Sequence, residues 1–159
     1  MTTAIDRKLE ELGLTLPEAA APVAAYVPAV IAGGLLHVSG QLPFKDGALM
    51  KGTLGDDVDL DTGIEAARRC GLMLVAQIKQ ALGGDLSRVE RIVKLGGFVA
   101  STPDFTDQPK VINGASELMV ALFGDAGRHA RSAVGVAALP LGAAVEVDAI
   151  IAVTASPLD

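Results

Sequence analysis

The stretch HARSAVGVAALPLGAAVEVDAI, residues 129–150, decides how the rest of the chain is read. It reads as two strands joined by a turn centred on Pro140-Leu141. Val145, Val147, Ala149, Ile151 and Val153 then point to one face, and Glu146, Asp148, Ile150 and Ala152 to the other. The first face suits packed helices. The second begins polar and ends apolar, a pattern that fits a sheet partly buried against other subunits. In hairpin register Arg131 opposes residue 150 and Glu146 opposes residue 135. Arg131 and Glu146 then share a face, about 13 Å apart along the strands. Two long side chains leaning inward frame a pocket for a small molecule; the alternatives are a structural pair or two solvated charges. A one-residue slip in register undoes the arrangement.

Working outward, the 129–150 stretch is preceded by a helix that Asp107 or Gln108 caps, with Pro109 in its first turn. It runs to about Phe123 with Val111, Ala115, Leu118 and Leu122 inward. Arg91 to Ala100 reads as a strand. Thr62 to Leu82 is the clearest helix, with Ile64, Ala67, Gly71, Leu74, Ile78 and Leu82 near one stripe and Gly83-Gly84 as its stop. Two short strands flank a turn at Gly33-Gly34, and a small hairpin sits at Asp46-Gly47. Residues 1–25 hold a short helix (Thr3 to Leu12) and a proline-rich extended segment. The order predicts an α+β fold, one mixed sheet with two helices on one face, as a single domain over residues 1–159.

Composition narrows the function. The chain has 159 residues, half of them hydrophobic, enough for a real core. Net charge is −6, the 13 Lys and Arg residues are scattered rather than gathered into a phosphate-tracking stripe, and with only 3% aromatic residues stacking platforms are scarce, so nucleic-acid binding is disfavoured. Cys70 stands alone, which rules out an internal disulfide and a cysteine-based metal cluster. The N-terminus is charged and amphipathic, unlike a signal peptide, and no apolar run approaches the ~18 residues of a membrane span; a cytoplasmic protein is expected. A mean hydropathy of +0.44 is high for so small a chain and implies surface buried between copies.

The motifs SGQLP (39–43) and RSAV…LP…VEV (131–147), with YVPAVIAGGLLHVSGQLPF (26–44) and VINGASELMVALFG (111–124), resemble the YjgF/RidA family of reactive intermediate deaminases in order and spacing. The resemblance spans nearly everything from Tyr26 to Val153. It implies a chorismate-mutase-like (bacillary type) fold, assembled as a homotrimer with a barrel-like β core and pockets between subunits. It implies that Arg131 binds a substrate carboxylate, that Glu146 bonds ligand or water, that Tyr26 closes the pocket from a neighbouring chain, and that Ser39, Gly40 and Asn113 line it. Ala133 occupies a position often filled by cysteine. The implied reaction is hydrolysis of enamine and imine intermediates, 2-imino acids becoming 2-oxo acids and ammonium, with no cofactor and no metal.

The residues suit that chemistry. A guanidinium grips a carboxylate bidentately, and a carboxylate orients or deprotonates water against an imine carbon. The alternatives are a small-carboxylate-binding or regulatory trimer without catalysis, and the endoribonuclease or translation-inhibitor activity attached to some relatives. His37 reads as a packed or edge residue, His129 as a loop histidine, either solvated or helping to form the cleft rim near Arg131, and Cys70 as a small core residue. Asp56, Asp57, Asp59 and Asp61 read as a solvated connection.

Overall fold

The computed structural model describes residues 1–19, 21 and 25–156. Ala20, residues 22–24 of the expected extended segment and the last residues of the tail lie outside the described residues.

Helix α1, Ala4–Glu11, begins where Thr3 and Asp6 cap each other: the Asp6 amide donates to the Thr3 hydroxyl and the Thr3 amide donates to Asp6. Burial works against the Asp6 charge, but Lys79 at 2.7 Å and the Thr3 donors outweigh it and hold the carboxyl at about 2. The chain then forms β1 (Ala29–Ala32), β2 (Leu35–Gln41) and a small hairpin of β3 (Phe44–Lys45) and β4 (Ala48–Leu49). Gly33 and Gly34, both at positive φ, make the β1–β2 turn.

Helix α2, Leu60–Ala81, starts with Asp59 accepting the Thr62 amide at 2.8 Å. Asp57 accepts the Thr53 amide at 2.6 Å. Two carboxylates of the acidic run thus hold local backbone rather than only solvate it. Residues 70–78 of α2 are buried all the way round. One stripe faces the sheet and α3, while Leu14 and Leu16 of the N-terminal segment pack on the core beside it. Cys70 is fully buried in this layer, as a small core residue.

Strand β5 (Val89–Ala100), α3 (Gln108–Phe123) and β6 (Ala130–Val136) form a strand–helix–strand unit, followed by β7 (Val145–Val153). The sheet order is β1-β2-β7-β5-β6. Neighbours are antiparallel except β5 and β6, which run parallel, as a helical crossover requires. Both long helices cover one face. Ile92, Leu95, Val99, Val145, Val147 and Ile151 are fully buried against them, each side chain contributing on the order of 1.5–3 kcal/mol. This is the expected α+β architecture of a mixed sheet with two helices on one face.

One expectation fails. Residues 129–150 are not a hairpin, because β5 lies between β6 and β7. The chain does turn at Pro140–Gly142, with Leu141 at φ 59°, but it joins strands that do not pair. β5 takes the place between them, being the longer partner and presenting its own apolar face to the helices.

The opposite sheet face is open. It carries Val30, His37, Phe98, Val134, Glu146 and Asp148, with Val30 and Val134 nearly half exposed. Among the described residues no helix is long and apolar enough to cross a membrane.

Candidate functional site

The alternation of β7 places Glu146 on the open face, as the pattern predicts. Arg131 does not join it there. Arg131 pairs in register with Leu95, which pairs with Ala149 on the helix face. Glu146 pairs with Phe98, which pairs with Val134 on the open face. An odd step along β5 separates Leu95 from Phe98, so Arg131 and Glu146 lie on opposite faces of one sheet. The shared-face pocket inferred from hairpin register is therefore overturned, and the reason is the interposed β5. The seven candidate residues fall into two groups instead.

The first group is Arg131, Asn113 and Ala133, on the helix side of the β6 edge. Arg131 Nη1 donates to Asn113 Oδ1 at 2.8 Å and to Ser116 Oγ at 3.1 Å. Both hydrogens of that nitrogen are thereby engaged. Nε and Nη2 have no partner among the described residues, which leaves one two-pronged edge of the guanidinium available. Ala133 follows on the same face of β6, packed against the core. Asn113 is on α3, which comes close to the sheet at Gly97: a Cβ there would lie 2.5 Å from Ile112 Cγ1. The absence of a side chain at Gly97 brings α3 within reach of Arg131.

The second group is Tyr26, Ser39, Gly40 and Glu146. Ser39 Oγ donates to the Val27 carbonyl at 3.2 Å and the Ser39 amide to that of Pro28 at 2.9 Å, pinning the segment that carries Tyr26. Tyr26, Pro28, Ser39, Gly40, Gln41 and Phe44 line a small concavity of about 140 Å³. A bulge interrupts β2–β7 pairing between Val38 and Gln41, re-aiming Ser39 and Gly40. Gly40 makes room for Glu146, whose Oε1 lies 2.5 Å from where a Cβ would stand. Burial raises the Glu146 pKa, and the neighbouring Asp148 charge raises it further. Its carboxylate accepts no hydrogen bond from the described residues.

Sequence reasoning passed over Ser116 and gave His129 only a rim position. Ser116 Oγ touches both Arg131 and the His129 ring, at 3.1 and 2.9 Å. The available signal was spacing: Ser116 lies three residues after Asn113 and shares its helix face. His37 is exposed on the open face, and the described residues hold no cluster fit for a metal ion.

Two helices on one face of a mixed sheet, with a guanidinium and a carboxylate on its two sides, define a chorismate-mutase-like α+β protein. The family model described as "YjgF/chorismate mutase-like, putative endoribonuclease" matches residues 6–152. The chain belongs to this YjgF/RidA family. Protein TCP17 of Trypanosoma cruzi is 56% identical over 145 residues, covering 90% of each chain. The crystal structure of protein Atu1372 from Agrobacterium tumefaciens superimposes with a TM-score of 0.89 at 51% identity, over 95% of this chain and 93% of that one. Escherichia coli TdcF, solved with bound serine, gives a TM-score of 0.60 at 25% identity, over 87% of this chain and 94% of that one.

Proposed function

We propose that the chain hydrolyses reactive 2-imino acids to 2-oxo acids and ammonium, in pockets formed between subunits of a homotrimer. The observation that carries this reading is the state of Arg131. Two hydrogen bonds fix one nitrogen of its guanidinium, and the Nε–Nη2 edge is free to take a carboxylate bidentately. TdcF binds serine, a small carboxylate of the size such a fork accepts. Within one chain the fork and Glu146 point away from each other, so a complete site pairs the Arg131 side of one subunit with the Glu146 side of the next. The partly apolar open face supports self-association of this kind.

In that pocket Arg131 and Asn113 hold the substrate carboxylate, which places the imine carbon. Glu146 takes a proton from a water as the water oxygen bonds to the carbon of the protonated imine, and the C=N π pair moves to nitrogen to give a neutral amine. Glu146 returns that proton to the amine, the C–N bond breaks to release ammonia, and the hydroxyl proton passes to the ammonia through solvent, leaving the 2-oxo acid and ammonium. Ser39 and the backbone at Gly40 supply polar contacts, and Tyr26 covers the concavity. No step requires a thiol, which agrees with Ala133. Net charge of −6 and scarce aromatics speak against RNA as substrate.

The test generates 2-iminopropanoate with an amino-acid oxidase and follows release of the 2-oxo acid. Acceleration by the protein is expected. Arg131→Lys should keep the fold but lower kcat/KM about 10- to 150-fold, the worth of the lost charge-assisted hydrogen bonds. No acceleration combined with tight 2-oxo acid binding would make the chain a binding module. RNA cleavage abolished by Arg131→Ala, or a monomer in sedimentation, would also defeat the proposal.

A further inference from the structure

The same guanidinium is held from behind by a chain of hydrogen bonds with a fixed direction. His129 Nδ1 lies 2.7 Å from the Gly127 carbonyl oxygen, and His129 Nε2 lies 2.9 Å from Ser116 Oγ. A carbonyl oxygen only accepts, so Nδ1 carries a proton. In the neutral ring Nε2 then offers only a lone pair, and the Ser116 hydroxyl donates to it. With that proton committed, Ser116 Oγ has only lone pairs left and accepts from Arg131 Nη1 at 3.1 Å. Direction thus runs from guanidinium to serine to imidazole. Burial favours the neutral ring, the Gly127 carbonyl opposes this, and the Arg131 charge adds to the effect of burial.

The anchor at the far end is rigid. A Cβ on Gly127 would stand 2.6 Å from the Met119 carbonyl carbon and 2.9 Å from Val120 Cα. The loop that presents the Gly127 carbonyl therefore rests directly on the α3 backbone. Ser116 and Asn113 belong to that same helix, so acceptor, relay and clamp share one support.

We propose that Ser116 and His129 are positioning residues: their directed relay fixes the Arg131 guanidinium so that its Nε–Nη2 edge meets the substrate carboxylate. The proposal rests on the reading of Arg131 as the carboxylate grip. With Ser116 removed, Nη1 keeps only Asn113 Oδ1, and the guanidinium pivots about a single bond. Loss of orientation at a fork of this kind weakens binding without removing the charge.

The test measures kcat and KM for 2-iminopropanoate and calorimetric affinity for pyruvate, an unreactive 2-oxo acid. Ser116→Ala should raise KM and the pyruvate Kd about tenfold and leave kcat within about twofold. Ser116→Thr keeps the hydroxyl and should restore affinity, whereas Ser116→Val, of the same shape without it, should not. His129→Gln, whose amide oxygen can accept from Ser116, should lose less affinity than His129→Ala. In the unsubstituted protein, ¹⁵N resonances of His129 should report the Nδ1-protonated tautomer. The opposite tautomer, or equal affinities for the Thr and Val variants, would overturn the proposal. If Arg131→Lys weakens pyruvate binding while Ser116→Val does not, the relay falls and the carboxylate grip stands. If Arg131→Lys leaves pyruvate binding intact, the grip falls and takes the relay with it.

Discussion

Glu146→Gln should lower kcat for the proposed 2-imino acid hydrolysis about 10²- to 10⁴-fold, the usual worth of a positioned general base, and at the same time make the protein more stable once pH rises through the folded-state pKa of the carboxyl. Both results have one cause. The carboxylate is half-buried over Gly40, beside Asp148, with no donor among the described residues to offset its charge. Burial first, and Asp148 second, raise its pKa above the ordinary value. A carboxyl whose folded-state pKa is raised favours the native state most when protonated, below the unfolded pKa. That contribution is lost as pH rises through the folded pKa. Wherever the native carboxyl is ionised, its surroundings within the chain disfavour the charge, and glutamine removes that burden while keeping the shape. The stability gain should be smallest below the unfolded-state pKa of the carboxyl and grow as pH rises through its raised folded-state pKa. Rate assays and thermal unfolding at pH 4 and pH 7 check this. An unchanged kcat would remove Glu146 from the reaction. A loss of stability would mean that an unseen donor holds the carboxylate.

Gly114→Ala should destabilise the fold by ~3 kcal/mol or more, at the upper end of overpacking costs. Helix propensity alone predicts the reverse, a gain of about 1 kcal/mol, since alanine is the better helix former. The crossing of α2 and α3 decides the sign. A Cβ at Gly114 would stand 3.0 Å from the Ile64 carbonyl carbon and 3.1 Å from the Arg68 amide nitrogen, with the Ile64 carbonyl oxygen nearer still. These are backbone atoms, and no rotamer change can move them aside. The helices must separate, and Gly71, which sits against Leu118 and Ala115 in the same seam, shows how little slack they have. Because α3 also carries Asn113 and Ser116, the variant should lose carboxylate affinity along with stability. Denaturant unfolding measures the first effect. A midpoint equal to or above that of the unsubstituted protein would show that the seam relaxes.

Local periodicity made most of the elements readable. The alternation in Val145–Val153, the stripe through Ala67, Gly71, Leu74 and Ile78, and the glycine stops all act within a few residues. Strand order was not readable in the same way. A proline-glycine turn between two apolar runs looks like a hairpin, and nothing local to residues 129–150 reveals that β5 intervenes. The relevant signal was the longer unit: a strand, a helix and a strand in succession bring the two strands together in parallel, which leaves β6 next to β5 rather than β7. Residue identities at the candidate site came through family resemblance, whereas the face on which each stands depended on that strand order. Ser116 escaped notice because a serine inside a helix is unremarkable until the strand facing it is known. The Gly-Gly pair at 96–97 serves close packing: Gly96 accommodates the Asp148 side chain on one face, and Gly97 accommodates Ile112 on the other.

The two-sided placement of Arg131 and Glu146 has a genetic consequence. If each pocket borrows its cation from one chain and its base from the next, chains defective in one group should rescue chains defective in the other. A mixed ring of Arg131→Ala and Glu146→Gln protomers always contains a junction at which the intact halves meet. Two dead parents, denatured together and reassembled, should therefore regain turnover that neither shows when reassembled alone.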